Sequence, residues 1–171
     1  MSPPSENTKS LIQYALRILG RRSYSTDMMK RKIQTRIKLK NRVSGTQRDS
    51  ETDSLQALET QGVMDYLTTH ALLDDDTFAK NFIDTMRQRQ KSDRWISQKL
   101  MQKGLTRDTI STLLTPTNAL PLIAHHIQHK LSFHPDTLLD KKSKDKLIRW
   151  LLGKGFSYGD IVKAIGQLQS V

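Results

Sequence analysis

The chain contains no cysteine, few aromatic residues and no long hydrophobic run. Without cysteine it cannot form a disulfide, bind zinc through thiolates or use a thiol nucleophile. No segment approaches the roughly 18 uninterrupted apolar residues that would span a bilayer, and the first residues lack the apolar region of a signal peptide. We therefore expect a cytoplasmic protein without membrane association.

The chain also has little material for a large core. Its 171 residues are 36% hydrophobic and 6% aromatic, with a mean hydropathy of -0.58. This length provides one ordinary domain or a few small modules, so a large multidomain enzyme is excluded. The composition is nevertheless too apolar for complete disorder.

Positive charge is in excess. Lys and Arg number 28 against 17 Asp and Glu, which gives a net charge of +11. Basic residues predominate in 1–48 and 87–171, and acidic residues in 49–86. This balance predicts an anionic partner.

Apolar residues recur with helical spacing along most of the chain, and no segment shows the sustained alternation of a half-buried strand. The clearest stripes are Leu11, Ile12, Ala15, Leu16 and Leu19; Phe78, Ala79, Phe82, Ile83 and Met86; and Ile161, Ala164, Ile165 and Leu168. The spacing predicts an all-α protein.

The sequence contains an internal repeat. At an offset of 51 residues, matched pairs include Ser92 and Ser143, Leu100 and Leu151, Lys103 and Lys154, Gly104 and Gly155, and Ile110 and Ile161. In both copies the glycine is predicted to end a helix in the left-handed conformation, and Thr106 or Ser157 to cap the next helix.

A third copy lies near the N-terminus at an offset of 67 residues. Ser25, Met29, Ile33 and Arg36 match Ser92, Ile96, Leu100 and Lys103. Ile37 stands where the second copy has Gly104, and the polar stretch 43–54 is predicted to be an inserted loop.

Each copy has a further helix before its Ser-capped one, at about 8–20, 75–90 and 118–132. The predicted fold is all-α, with three tandem three-helix repeats stacked into an elongated curved rod. The predicted divisions are a flexible N-terminus at 1–9, repeat 1 at 10–72, repeat 2 at 73–116 and repeat 3 at 117–171.

No group of residues favours catalysis or metal binding. His125, His126 and His129 lack the acid of a His-Glu-x-x-His motif and are interpreted as surface or capping residues. The run 74–76 of three aspartates indicates a helix start, because consecutive helical residues point in different directions. We predict no enzymatic activity, cofactor or metal.

The aromatic residues are mostly predicted to lie in the core. Trp95 flanks its apolar stripe and remains open as a platform on which a nucleic-acid base could stack.

The basic residues have two interpretations. Arg36, Lys103 and Lys154 share one register and could each stabilise a helix dipole. The number of further cations on the second helices instead favours a basic strip that binds phosphates or a nucleoprotein surface without reading bases. The candidate partner-binding and DNA-binding residues are Arg22, Lys30, Arg31, Lys32, Arg36, Arg87, Arg89, Arg94, Lys99, Lys103, Arg149 and Lys154.

Several motifs, in order, closely resemble the RecX family of bacterial regulators of the RecA recombinase. They are Leu-Arg-Ile-Leu at 16–19, Leu-Leu-Asp-Asp-Asp-Thr-Phe-Ala at 72–79, Lys-Gly-Leu at 103–105 and Lys-Gly-Phe-Ser-Tyr at 154–158. The resemblance spans about residues 11–169.

The resemblance implies a monomer that binds the groove of a RecA filament on single-stranded DNA, with double-stranded DNA as a further partner. It implies inhibition of filament growth, ATP hydrolysis, strand exchange and SOS co-protease activity. The positions matching the family's basic residues are Arg22, Arg87, Arg89, Arg94, Lys103 and Lys154. The alternative is a sequence-independent nucleic-acid-binding helical module that needs no recombinase.

Overall fold

The computed structural model describes residues 5–43, 50–134, 138 and 140–169, and this part of the chain is helical throughout, with short connections. The helices are α1 (Glu6–Leu19), α2 (Thr26–Val43), α3 (Ser50–Thr69), α4 (Asp75–Gln88), α5 (Asp93–Gln102), α6 (Arg107–Leu113), α7 (Ala119–Phe133), α8 (Lys141–Gly153) and α9 (Tyr158–Gln169). The all-α prediction of three sets of three helices is confirmed. None of these described helices is long and apolar enough to cross a membrane.

Polar side chains fix where the helices begin. The Ser25 and Ser92 hydroxyl oxygens accept from the backbone N–H groups of Met28 and Trp95, which lie in the first turns of α2 and α5. Asp74, Asn118 and Ser157 cap α4, α7 and α9 in the same way. Each cap satisfies an N–H group that has no partner within its own helix, so the helix starts follow directly from local sequence.

The described chain forms two compact units. The first comprises the described residues up to Ala79 together with Lys103–Thr106, and the second comprises Lys80–Gln102 and the described residues from Arg107 onward. The predicted division into three repeats does not coincide with these units and stays a prediction.

In the first unit, α1, α2 and α3 pack against one another. Apolar stripes from all three helices form the core, because helical spacing puts them on one face. The buried residues are Leu11, Ile12, Ala15, Tyr24, Met29, Ile33, Ile37, Val63, Met64 and Leu67. Leu16, which was predicted in the stripe of α1, is 40% exposed.

In the second unit, α9 packs against α7 and α8, and α5 packs against α6. The core of α7, α8 and α9 consists of Ile123, Ile127, Leu147, Leu151, Phe156, Ile161, Ala164 and Ile165. Phe156 stands before α9 and is only 3% exposed. Of the predicted apolar stripe of α9, Ile161, Ala164 and Ile165 are core residues, and Leu168 packs against them partly buried.

One polar contact occurs in both units. In the first, the Ser25 hydroxyl donates to the backbone carbonyl of Lys103 at 2.5 Å, and the Thr26 N–H donates to the Asp75 carboxylate at 2.7 Å. In the second, the Ser92 hydroxyl donates to the carbonyl of Lys154 at 3.1 Å. The serine that begins a second helix thus also binds the end of the corresponding helix in the next copy.

The predicted glycines have a second role beside this contact. Gly104 and Gly155 have φ values of +88° and +91°, which confirms the left-handed conformation. A Cβ atom on Gly155 would lie 2.5 Å from the Ser92 hydroxyl oxygen and 2.6 Å from the Trp95 Cβ. The close approach of two helix ends therefore requires glycine in addition to the backbone conformation.

The predicted insertion in the first copy differs from the structure. Residues 44–49 lie outside the described residues, but α3 already begins at Ser50, so residues 50–54 of the expected loop are helical. α2 and α3 contain 18 and 20 residues, against 10 and 7 in α5 and α6. Longer helices account for much of the extra sequence, and Ile37 is buried in the continuous α2 where a glycine would have ended it.

Two further helix starts differ from the prediction. α1 begins at Glu6, so residues 6–9 of the predicted flexible N-terminus are helical, and residues 1–4 lie outside the described part. α8 begins at Lys141 because the Asp140 carboxylate accepts from the Ser143 N–H. Ser143 is therefore inside the helix, whereas its counterpart Ser92 caps α5.

Substitution of Gly155 tests the close approach. We expect Gly155→Ala to lower the free energy of unfolding by about 2–4 kcal/mol, because the new Cβ adds a steric conflict to the strain of a positive φ. The matched control is Gly153→Ala, where a Cβ meets nothing within 4 Å. Chemical denaturation should show little change or a gain of up to about 1 kcal/mol for this control, which lies in α8. Equal stability of the two variants would contradict the proposed packing.

Candidate functional site

Trp95 lies between two lysines in the second unit. The Lys91 Nζ is 4.9 Å and the Lys99 Nζ is 5.6 Å from the centroid of the indole ring. Lys99 follows Trp95 by one turn of α5, and Lys91 precedes the helix, so the two are four residues away on either side. The indole is half-buried, which leaves part of it accessible to solvent.

A second tryptophan contacts another lysine of the same unit. The Lys154 Nζ lies 4.6 Å from the centroid of Trp150, whose side chain is 42% exposed. Burial lowers the pKa of the Lys154 ammonium group, and repulsion by Lys91 lowers it further. Lys91 therefore links the surroundings of the two tryptophans. Lys91, Trp95, Lys99, Trp150 and Lys154 are called the lysine–tryptophan cluster below.

The equivalent lysine in the first unit also lies on an aromatic ring. The Lys103 Nζ is 5.8 Å from the centroid of Phe78 and 3.9 Å from the Met28 sulfur. Phe78 is buried and Lys103 is half-buried, so this ammonium group lies against an apolar surface. Lys103 and Lys154 thus have the same place in the repeat and the same type of neighbour.

Other predicted cations in the first unit are exposed. The Arg22 guanidinium lies 4.6 Å from the centroid of Tyr24, and the Arg36 guanidinium 5.4 Å from that of Tyr14. Lys30, Arg31 and Lys32 are successive residues of α2, about 100° apart around its axis, and cannot share one face. Arg31 pairs with Asp27 at 2.7 Å.

Arg87 makes contacts within the second unit. Its Nη2 donates to the Thr115 carbonyl at 2.6 Å and lies 3.4 Å from the Asp93 carboxylate. Asp93 also accepts from the N–H and the hydroxyl of Thr117. These bonds tie the end of α4, the start of α5 and the segment after α6, so Arg87 has a positioning role there.

The remaining predicted residues, Arg89, Arg94 and Arg149, are exposed on the second unit. The prediction that all twelve cations share one strip is not tested by the two units taken separately. Sequence reasoning did not select Trp150 as a functional residue. The spacing of four residues between Trp150 and Lys154, which places both on one helix face, was the available signal.

Not all the aromatic residues that were predicted to lie in the core are buried. Phe78 and Phe156 are buried as expected, but Phe133 and Trp150 are 69% and 42% exposed. Trp150 remains exposed because it lies on the outer side of α8, whereas Leu147 and Leu151 fill the core.

His126 is a buried histidine on α7. It is 5% exposed, its Nε2 lies 3.1 Å from the Gln90 carbonyl, and its ring meets Trp150 and Phe156 edge-on. Burial lowers the pKa of His126, and Lys154 lowers it further, although the hydrogen bond to Gln90 raises it. Among the residues that the structure describes, no group of three or more acids, histidines or cysteines could hold a metal ion.

The lysine–tryptophan cluster has two chemical capacities. Ammonium groups attract phosphates, and an indole face can stack on any base. The lysines can move from the ring faces to phosphates at small cost, because an exposed cation–π contact contributes only about 0.5–1 kcal/mol. The arrangement therefore suits an anionic partner with planar groups and reads no base sequence.

These features define the class of protein: an all-helical repeat protein whose cations lie against aromatic rings. A family model described as RecX, second three-helix domain, matches residues 74–114. In this segment the chain is similar to RecX proteins.

Curated relatives also resemble the chain. The chain is similar to the regulatory protein RecX of Pectobacterium atrosepticum, with 26% identity over 152 residues, 88% of this chain and 92% of that protein. It is 31% identical to that of Streptococcus uberis over 106 residues, which cover 61% of this chain and 41% of the relative. It thus spans about two fifths of the length of this longer relative.

The fold is also similar to a crystal structure of RecX from Lactobacillus salivarius. The TM-score is 0.64 at 16% sequence identity, and the match covers 97% of this chain and 99% of the other. At this identity the likeness shows the fold alone.

The burial of His126 predicts a pH dependence of stability. Because its pKa is lower in the folded state than its ordinary 6.5, the unfolded chain binds its proton first as the pH falls. The contribution of neutral His126 is complete above about pH 6.5 and is lost as the pH falls towards the folded-state pKa.

Urea denaturation at pH 7.5 and 5.5 measures this loss. We expect the loss to be smaller in His126→Gln than in the unaltered chain. The control is His129→Gln, which removes an exposed histidine of the same helix. This variant should lose nearly as much stability between pH 7.5 and 5.5 as the unaltered chain. An equal loss in His126→Gln and the unaltered chain would refute the assignment.

Proposed function

We propose that this chain is a non-enzymatic regulator of a RecA recombinase. It binds the RecA filament on single-stranded DNA and restrains filament growth, ATP hydrolysis, strand exchange and SOS co-protease activity. The observation that supports this function best is the lysine–tryptophan cluster in a chain that is similar to RecX proteins. The relatives are named regulatory proteins, which agrees with this role.

The proposed contact is electrostatic and independent of sequence. A nucleoprotein filament presents phosphates and acidic protein surface at regular intervals, and a repeated cation can meet such a series at more than one point. Lys103 and Lys154 occur at equivalent positions of successive repeats, each against an aromatic ring. Regulation then follows from occupation of the filament, without a chemical step by the chain.

Charge reversal at exposed arginines tests the proposed interface. Arg89→Glu with Arg94→Glu should raise the concentration needed for half-inhibition of RecA strand exchange about tenfold, because two favourable ion contacts become repulsive. These positions are chosen because Lys103 and Lys154 lie against aromatic rings, where a carboxylate would also disturb packing.

The matched control for this test is Lys142→Glu with Lys163→Glu. Both lysines are exposed, and the change in net charge is the same. The control should inhibit like the unaltered chain. Equal weakening in both double variants would show that only net charge matters, and unchanged inhibition by the arginine variant would remove these residues from the interface.

The two tryptophans allow DNA contact at Trp95 to be observed directly. In Trp150→Phe, Trp95 is the only tryptophan left, and stacking on a base should quench its emission. We expect saturable quenching by oligothymidylate, and a log-log slope of affinity against salt near -4 if about six phosphates are contacted.

The same titration with and without RecA separates the proposal from its alternative. Tighter binding in the presence of RecA supports filament recognition, whereas equal binding supports a nucleic-acid-binding module that needs no recombinase. The control is Trp95→Phe, in which Trp150 reports. Binding detected by anisotropy without a change in Trp95 emission would exclude stacking at Trp95.

A further inference from the structure

The first unit contains a cavity that the proposed function does not use. It has a volume of about 390 Å³ and lies among α1, α2 and α3. Pockets for small molecules begin at about 300 Å³, so this cavity has room for a ligand of the size of a mononucleotide. Its polar lining includes Ser10, Tyr14 and Arg17 of α1, and Arg36, Lys40 and Asn41 of α2.

Two guanidinium groups share one aromatic ring in this cavity. The Arg17 and Arg36 Cζ atoms lie 5.9 Å and 5.4 Å from the centroid of Tyr14. Neither has a carboxylate of the described chain within ion-pair distance, whereas Arg31 and Arg87 each have an aspartate. Both guanidinium groups line the same cavity, and two like charges there favour the binding of an anion.

The other charged groups leave the lining positive. Glu59 is its one carboxylate, and it accepts from the Asn7 amide at 2.9 Å. Lys40 donates to the Asn7 carbonyl oxygen, so a chain of hydrogen bonds runs from α2 through α1 to α3. The lining thus has three cations against one carboxylate, and this chain of bonds fixes one wall of the cavity.

We propose that this cavity binds the phosphate group of a nucleotide. Arg17 and Arg36 would each donate to phosphate oxygens, because a guanidinium presents two N–H groups in a geometry that matches them. Lys40 adds a third cation at the same mouth, which suits a phosphate better than a carboxylate with its single charge. The hydroxyl of Ser10 and the amide of Asn41 can bind the sugar or base.

The phosphate can come from a free nucleotide or from a nucleic-acid strand, since both present the same oxygens. The site lies within α1, α2 and α3, and the lysine–tryptophan cluster contributes no residue to it. It shares Arg36 with the predicted partner-binding residues, so the test below separates nucleotide binding from regulation of a recombinase.

The test uses the full chain and thermal unfolding. Thymidine monophosphate should raise Tm in a saturable manner, because a ligand that binds only the folded state stabilises it. Thymidine, which lacks the phosphate, should have no effect. Arg17→Gln with Arg36→Gln should weaken nucleotide binding at least tenfold, and Lys40→Gln should weaken it less.

The matched control is Arg21→Gln with Arg42→Gln, which removes the same charge from exposed positions outside the cavity lining. It should bind the nucleotide like the unaltered chain. Circular dichroism checks that all variants remain folded. Three outcomes would overturn the proposal. They are equal weakening of nucleotide binding in the control, undiminished nucleotide binding by the Arg17 and Arg36 variant, and a response to a glutamate-rich peptide but not to the nucleotide.

Oligothymidylate then distinguishes the two sources of phosphate. If it competes with thymidine monophosphate and loses affinity in the Arg17 and Arg36 variant, the site takes a strand. If oligothymidylate does not compete and keeps its affinity for the variant, while thymidine monophosphate binds, the site takes free nucleotide. A loss of nucleotide binding with unchanged inhibition of RecA strand exchange would separate this site from the proposed regulatory function.

Discussion

The serine hydroxyl that begins α2 or α5 satisfies two backbone groups at once. It accepts from an N–H of its own helix and donates to the lysine carbonyl that precedes Gly104 or Gly155. Because a buried carbonyl without a partner would cost about 1–3 kcal/mol, the serine and the helix end must stay in register. The glycine allows the approach, since any Cβ would overlap the facing helix start.

This contact also determines where the repeated lysines lie. Lys103 and Lys154 precede the glycines, so the bond that fixes their backbone carbonyls also fixes the origin of their side chains. The Lys103 ammonium group lies 5.8 Å from the centroid of Phe78, and the Lys154 ammonium group lies 4.6 Å from that of Trp150. In the proposed function the Lys-Gly pair has two roles, because its carbonyl fixes the packing and its lysine side chain contributes to binding.

Much of the architecture could be predicted because its causes are local. The spacing of apolar residues predicted the helices and most of the core, and Ser25, Ser92 and Asn118 marked helix starts. The inserted loop was predicted too long for a physical reason. Polar residues at 51–54 form helix as readily as loop, and sequence alone does not distinguish these states.

The candidate site was harder to predict, because a cation's role depends on which groups lie within a few ångströms of it. The sequence determined the helical repeat, the positive charge and the glycines, since periodicity, composition and backbone conformation act over a few neighbouring residues. Only the tertiary structure decided that Arg87 binds Thr115 and that Arg17 and Arg36 both lie against Tyr14. In both cases the partners come from different segments, and packing of those segments sets the distances between them.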